Sequence, residues 1–217
     1  MHNSEITQII NLLNVPNLGP QRVRNLLTHF ENGDNVFHAS KKELCRRSGV
    51  DIGLAEAVLK YKDFGFGEEE VEKAEKAGVT IYTIWDEEYP MLLKKIYDPP
   101  VILYTKGQPL KKEEDAVAIV GTRKLTPYGR SMAKSIAKVL NTAGITVVSG
   151  LARGIDTIAH KETVKNKSRT IGVLGCGIDV VYPAENRKLF QDIYDRGTVV
   201  SEFKFGTKPD GGNFPQR

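Results

Sequence analysis

Cysteine and histidine are scarce in this sequence. Its 217 residues include only two cysteines, Cys45 and Cys176, and four histidines. The cysteines lie far apart without a CxxC spacing, so the sequence offers neither a disulfide framework nor the ligand cluster of a metal site. We therefore expect no bound metal and a reducing compartment.

Long apolar segments are missing as well. No apolar run approaches the roughly 20 residues that a membrane-spanning helix needs, and the sequence does not begin with the apolar stretch of a secretory signal. These absences predict a protein without a membrane span that is located in the cytoplasm.

Nucleotide-binding motifs are also absent. No GxGxxG motif follows the first strand-like run of the α/β region, and the phosphate-binding motif GxxxxGK[ST] does not occur. The sequence therefore predicts no nucleotide cofactor.

Charge is present but unevenly distributed within a net charge of +4. Residues 121–169 contain ten Lys or Arg against two acids, a local charge of +8. Residues 63–98 contain ten acids against four Lys, a local charge of −6. This asymmetry indicates one region that faces a polyanion and one solvated connector.

The first 64 residues have the pattern of a small helical domain. Apolar residues recur at helical spacing, and two glycine-containing turns, Val15–Pro20 and Ser48–Leu54, separate the helices. Such turns resemble those of helix-hairpin-helix and SAM-like domains, some of which present backbone N–H groups to DNA phosphates. The alternative is that the glycines only permit sharp corners between helices.

Residues 65–114 are predicted to form a connector that extends the following domain. Phe64–Gly67 has the composition of a hinge, and residues 68–77 are predicted to form an exposed acidic helix. Two strand-like runs, Val79–Ile84 and Val101–Tyr104, are separated by turn-forming residues.

From residue 115 onward, strands and helices alternate. The predicted strands are Ala116–Val120, Ile145–Val148, Ile171–Leu174 and Val199–Val200. The predicted helices lie near Tyr128–Ala143, Gly154–Val164 and Glu185–Tyr194. Apolar strands separated by amphipathic helices are typical of a parallel sheet covered on both faces. Residues 65–217 are therefore predicted to form a doubly wound, Rossmann-like, mostly parallel α/β domain.

The loops after these strands are predicted to share one edge of the sheet, where doubly wound folds bind their ligands. Their glycines allow backbone N–H groups to approach an anion, and arginines beside them can bind phosphate through two hydrogen bonds each. Phosphate is the ligand that this chemistry favours. The candidate residues are Gly121, Arg123, Lys124, Arg153, Gly175 and Gly177. Ordinary turn chemistry remains the alternative for the last two.

Three aromatic residues near these loops, Tyr128, Tyr182 and Phe214, are candidates for stacking on nucleobases. The alternative is that they fill the core. Both interpretations fit the sequence equally well.

No catalytic residue is predicted. Asp156 and His160 lie four residues apart on one helix face, but no further group completes a catalytic or metal site. We interpret them as part of an orienting hydrogen bond within the loop. Asp179 and Glu202 are interpreted as acids that brace arginines or cap turns, and Cys176 as a buried thiol.

A series of motifs carries a resemblance to a known family. The motifs are Val120–Arg123, Ser149–His160, Val173–Asp179, Tyr182-Pro183, Asn186, Ser201-Glu202 and Phe214-Pro-x-Arg217, with Tyr89-Pro90, Asp98–Pro100 and Tyr104-x-x-Gly107 upstream. In this order and spacing they resemble the DprA/Smf family of DNA-processing proteins, with a SAM-like domain at the N-terminus.

The resemblance implies a homodimer that binds single-stranded DNA, protects it during natural transformation and helps to load the RecA recombinase onto it. It implies that Arg123 is the main phosphate ligand. The other implied contacts are a backbone cradle of Ser149, Gly150, Ala152 and Gly154, and cationic contacts from Arg187 or Lys188 and from Arg217. Family members continue beyond the Phe-Pro-x-Arg motif, so we expect further strands and the dimer surface to lie outside this sequence.

An enzyme of the nucleotide-monophosphate phosphoribohydrolase type is the alternative function. Its Rossmann-like domain is distantly similar, and it carries a Pro-Gly-Gly-x-Gly-Thr loop with a following glutamate. Lys208–Asn213 resembles that loop only faintly and offers no such glutamate.

Overall fold

A computed structural model describes residues 3–47, 49–112 and 115–217. The chain divides into two compact units, one of residues 1–76 and 81–102 and the other of residues 77–80 and 103–217. The contacts thus group residues 65–76 with the first unit, and the predicted domain boundary after residue 64 stays a prediction. Ser48, in the second predicted turn, lies outside the described residues.

The first unit consists mainly of short helices around an apolar core. Its helices are α1 (Asn3–Asn14), α2 (Pro20–Phe30), α3 (Gly33–His38), α4 (Lys41–Arg47), α5 (Ile52–Lys60), α6 (Gly65–Ala77) and α7 (Met91–Lys94). The side chains of Asn32 and Asp51 accept hydrogen bonds from the first turns of α3 and α5, which fixes where these helices begin. Leu12, Val23 and Leu44 are fully buried in the core.

The predicted hinge at Phe64–Gly67 is wrong. Helix α6 begins at Gly65, and the buried Asn11 side chain holds this start in place. Its Nδ2 donates to Phe64 O at 2.9 Å, and its Oδ1 accepts from Gly67 N–H at 2.8 Å. A Cβ at residue 67 would overlap the carbonyl oxygen of Thr7, so glycine is needed here for close packing.

Helix α6 is also less exposed than predicted. Glu70 is 1% exposed, and its Oε1 lies 3.2 Å from Lys73 Nζ. A carboxylate at this depth needs such a partner to offset its desolvation.

The predicted mixed α/β fold with a mostly parallel sheet is confirmed. The strands are β1 (Thr80–Thr83), β2 (Ile102–Gly107), β3 (Ala116–Ala118), β4 (Thr146–Ser149), β5 (Thr170–Val173) and β6 (Thr198–Ser201), in the sheet order β1-β2-β6-β5-β4-β3. Strands β3 to β6 pair in parallel, with Val117 opposite Val147 and Gly172 opposite Val199. Strand β2 runs antiparallel to β6.

Three helices connect the parallel strands: α8 (Pro127–Thr142), α9 (Ile155–Lys165) and α10 (Arg187–Tyr194). The Thr126 hydroxyl caps α8 by accepting from Gly129 N–H at 3.0 Å. A core cluster of Ile119, Ala137, Val147 and Ala159 joins α8 and α9 to the sheet.

Strand β3 departs from the expectation that every strand is covered on both faces. All three of its residues are exposed, and β3 is at one end of the strand order. Apolar sequence alone does not distinguish such an edge from a central strand.

The parallel pairing determines where the loops lie. Because β3, β4, β5 and β6 point the same way, the loops at their carboxyl ends share one edge, and α8, α9 and α10 start from it. We call residues 121–124, 150–154, 175–179 and 202–206 at this edge the rim.

The His160 imidazole is completely buried between α9 and the sheet. The Thr170 hydroxyl donates to Val147 O at 2.7 Å, so it accepts the proton of His160 Nδ1, also at 2.7 Å. Nε2 has no partner among the described residues. Burial lowers the pKa of His160 to about 4 from 6.5.

This burial predicts an acid-sensitive fold. Above pH 6.5 the imidazole is neutral in both states; as the pH falls towards 4, only the unfolded chain takes up the proton, so stability is lost. We expect roughly 3 kcal/mol of this loss between pH 7 and pH 4, measured by urea unfolding at several pH values. His160→Gln should unfold with a flatter pH dependence, and parallel curves for the two proteins would contradict the prediction.

Candidate functional site

Buried hydroxyls at the strand ends tie the rim loops together. Ser149 Oγ donates to Ile119 O at 2.6 Å, and Ser201 Oγ donates to Cys176 O at 2.6 Å. Both serines are buried. The Ser149 hydroxyl, within the predicted cradle, is therefore used inside the protein and does not face a ligand.

The first rim loop packs directly on the start of α9. A Cβ on Gly121 would lie 2.6 Å from the Ile155 side chain, and Ile155 N–H donates to Thr122 O at 3.2 Å. Gly154 has a φ of 87°, and a Cβ there would overlap the backbone of Thr122 and Arg123. Glycine is required at this position both for its φ and for the close approach.

Packing of this kind leaves two cations at the surface. Arg123 and Lys124 are exposed and lie where the first rim loop contacts the N-terminus of α9. The dipole of the helix adds to their positive potential. Both were predicted as phosphate ligands, and their exposure leaves them accessible to an anion.

The predicted backbone cradle already contains an anion, the Asp156 carboxylate. Gly150 N–H donates to Asp156 Oδ2 at 3.1 Å. Burial raises the pKa of Asp156, while hydrogen bonds from the Ala152 and Gly150 backbone and the charge of Arg217 act in the opposite direction. The predicted orienting bond therefore exists for Asp156 and uses cradle N–H groups that were assigned to phosphate, whereas His160, predicted to share in it, bonds Thr170 instead.

A short helix near the end of the sequence, α11 (Asn213–Gln216), lies over the rim. The Phe214 ring covers Gly175, where a Cβ would be 2.7 Å from Cδ1. The Arg123 guanidinium carbon lies 5.2 Å from the centre of this ring, and the Tyr182 ring stacks on it at 5.9 Å. Close packing thus explains why residue 175 has no side chain.

Arg217 contacts the same aromatic ring. Its guanidinium carbon lies 5.5 Å from the ring centre of Phe214, and Nη1 donates to Gly150 O at 2.9 Å. Three loops predicted to share one site, those of Arg123, Gly150 and Gly175, therefore meet at one short segment.

A buried asparagine attaches residues 182–188 to the second rim loop. Asn186 Nδ2 donates to Leu151 O at 2.9 Å and to Thr157 Oγ1 at 2.8 Å. Arg187 and Lys188 follow it, exposed, in the first turn of α10. The role of Asn186 was missed in the sequence because its partners lie 29 and 35 residues upstream.

Arg153, another predicted ligand, already has an acidic partner. Its Nε lies 2.5 Å from Glu185 Oε1, with both side chains more than half exposed. The hydrogen bond to Arg153 lowers the pKa of Glu185. An anion that binds Arg153 must therefore compete with Glu185.

The third rim loop contributes less than predicted. Gly177 N–H donates to Thr207 O at 2.9 Å, so it is not available to a ligand. Asp179 accepts from Gly206 N–H at 2.9 Å, which confirms its interpretation as a turn cap. Cys176 is buried as predicted, and burial raises the pKa of its thiol to about 11.

The described residues contain no group of three or more His, Cys, Asp or Glu placed to hold a metal ion. Within the same described ranges, no helix is both long and apolar enough to cross a bilayer.

Comparison with known proteins connects this arrangement to a family. A family model described as DNA recombination-mediator protein A matches residues 80–217, which include every strand and the whole rim. The chain belongs to the DprA/Smf family. The resemblance seen in the motifs is confirmed.

Curated relatives extend this match over the first unit. The protein Smf of Synechocystis is 36% identical over all of this chain, which covers 56% of the relative. The DNA processing protein DprA of Streptococcus pneumoniae is 41% identical over 63% of the chain and 48% of the relative. The chain thus spans about half the length of the curated relatives it matches.

Solved structures show the same fold. The crystal structure of DprA from Streptococcus pneumoniae superposes with a TM-score of 0.78 at 30% identity, covering 100% of this chain and 72% of that one. DprA from Helicobacter pylori, whose structure is described as showing a single-stranded DNA binding mode, gives a TM-score of 0.54 at 33% identity over 62% of this chain and 61% of that one.

The hydrogen bonds of Asn186 predict a stability cost for its removal. Asn186→Ala leaves the buried Leu151 carbonyl without this donor, so we expect the free energy of unfolding to fall by about 1–3 kcal/mol. Urea denaturation measures this change. Asn25→Ala on the exposed surface of α2 is the control, and equal effects of the two substitutions would contradict the assignment.

Proposed function

We propose that this chain binds single-stranded DNA at the rim and acts as a mediator of DNA recombination. The observation that carries the proposal is the Phe214 ring with the Arg123 and Arg217 guanidinium groups against it. An aromatic ring flanked by cations suits a nucleobase joined to phosphates. The described binding mode of the Helicobacter relative supports the same ligand.

The rim and the residues beside it have distinct roles in this proposal. Arg123, Lys124, Arg187 and Lys188 are exposed cations that attract the sugar–phosphate backbone. Tyr182, stacked on Phe214 and 36% exposed, extends the aromatic surface for bases. Bases in a duplex keep their faces stacked on one another, so this surface favours an unpaired strand.

The backbone cradle has a narrower role than the sequence suggests. Gly150, Ala152 and Gly154 shape the loop through its hydrogen bonds to Asp156 and its contact with Arg123. Gly121 and Gly175 likewise make room for Ile155 and Phe214. In this proposal side-chain cations, more than backbone N–H groups, bind the phosphates.

We propose that the protein is a binding protein and not an enzyme. The polar groups that chemistry would require have structural roles: Asp156 holds the second rim loop, and Asp179 caps a turn. Burial keeps the Cys176 thiol protonated and the His160 imidazole neutral. With these groups in structural roles, we propose that the protein acts by positioning its ligand and by the charge of its exposed cations.

Finer parts of the proposal rest on family membership. They are protection of incoming DNA during natural transformation, loading of the RecA recombinase, homodimer formation and a location in the cytoplasm. The mediator description of the matching family model supports the recombination role. A SAM-like identity of the first unit belongs to the same group of proposals.

Removal of the Arg123 guanidinium tests the site. We expect Arg123→Ala to weaken binding of an oligo-dT strand by about 1.5–3 kcal/mol, because a charge-assisted contact is lost. The slope of log affinity against log salt should decrease by about one. Fluorescence anisotropy across a salt series measures both values.

Lys165→Ala is the matched control for this experiment. Lys165 is exposed in the last turn of α9, and α9 begins at the rim, so this cation lies towards the opposite edge of the sheet. The Lys165→Ala variant should lose little affinity for oligo-dT. Unchanged binding by Arg123→Ala, or an equal loss in both variants, would reject the rim as the DNA site.

The Arg153–Glu185 pair predicts a gain of affinity. Glu185→Gln removes the acid that competes with phosphate for Arg153, so oligo-dT should bind about two- to fivefold more tightly. Glu162→Gln, in the middle of α9, makes the same change in net charge away from the rim. An equal gain of affinity in both variants would indicate a general charge effect and would contradict the prediction.

A further inference from the structure

A cavity of about 110 Å³ lies within the first unit. Ile9 and Leu27 supply apolar surface, Glu5 and Glu31 supply carboxylates, and Trp85 supplies an indole ring. The residues that line it include no Lys or Arg. A cavity needs roughly 10–15 Å³ to hold one water molecule, so this one has space for the head of one long side chain.

A fixed turn presents the Trp85 ring. Asp86 N–H donates to Thr83 O at 3.0 Å, and Asp86 Oδ2 accepts from Thr83 N–H and from its hydroxyl at 2.6 and 2.9 Å. The Trp85 side chain is nevertheless 41% exposed. The turn fixes the backbone that carries this exposed indole, so little backbone freedom is lost when the ring binds a partner.

The backbone at Glu31 points to a use for its side chain. This residue ends α2 with a φ of 70° and a ψ of −38°, and its N–H donates to Leu27 O at 2.9 Å. Residues other than glycine are strained at such a positive φ. Glutamate at position 31 places a carboxylate at the cavity wall, and the strained backbone lowers the stability of the fold in return.

We propose that this cavity docks an arginine side chain from an exposed basic segment of a protein partner. The indole face attracts a cation, the Glu5 and Glu31 carboxylates accept guanidinium hydrogen bonds, and Ile9 and Leu27 pack on the aliphatic stem. The cavity holds only the head of the side chain. A single side chain inserted in a pocket is typical of the anchor residues of protein interfaces. Its acidic walls disfavour DNA, so this site serves a partner other than the strand at the rim.

Fluorescence tests the proposal directly, because Trp85 is the only tryptophan in the chain. The full chain is titrated with a blocked Gly-Arg-Gly-Arg-Gly peptide and with the same peptide carrying citrulline, which is neutral and nearly isosteric. We expect a saturable change in emission with the arginine peptide alone, weakened about 3- to 10-fold by Glu31→Gln or Glu5→Gln. Oligo-dT binding should be the same in these variants as in the native chain.

The Glu31→Gly variant distinguishes a loss of peptide binding from a loss of fold stability. It removes the carboxylate and relieves the backbone at φ 70°, so the thermal midpoint should rise while peptide binding falls. Three results would overturn the proposal: an equal response to citrulline, unchanged peptide binding in both Gln variants, or a response to spermidine as tight as to the arginine peptide. The last would assign the cavity to a free polyamine.

Discussion

The parallel alignment of β3, β4, β5 and β6 is the constraint on which the rim depends. Each of these strands ends at the same edge, and the chain must cross back to the opposite edge before the next strand begins, so every connecting helix starts at the edge where the strands end. Residues separated by up to 96 positions, such as Gly121 and Arg217, therefore belong to one surface. The site follows from chain direction as much as from side-chain chemistry.

Carboxylates of the protein itself shape this positive edge. Asp156 is buried and organises the loop backbone, whereas Glu185 is exposed and holds Arg153 near the surface. The first is shielded from solvent and holds the loop backbone from inside the protein. The second can be exchanged for another anion, because a surface ion pair is weak.

Local patterns predicted the elements of the second unit well. The apolar runs of β4 and β5 and the amphipathic helices between strands have local sequence patterns, so periodicity identifies them. The hinge prediction failed because Asn11, which satisfies the start of α6, is 53 residues from Phe64. The exposure of β3 similarly depends on strand order, which no local pattern reports.

The candidate site was predicted in part for the same reason. Position after a strand indicated which loops share the edge, but side-chain partners within the edge come from distant segments: Phe214 on Gly175, and Asn186 on Leu151. Asp156 was correctly expected to orient its loop by a hydrogen bond, but its use of the cradle N–H of Gly150 was not predicted.

Gly154 has a consequence for which strands would bind in the proposed complex of the rim with single-stranded DNA. Its close contact with the Arg123 backbone packs the first loop directly against the start of α9, so the loop has little freedom left to lose when a ligand binds. The entropy cost of association then falls mainly on the nucleic acid. In the proposed complex, flexible pyrimidine tracts, whose bases stack weakly on each other, would consequently be favoured over stiff purine tracts without any contact that reads a base edge.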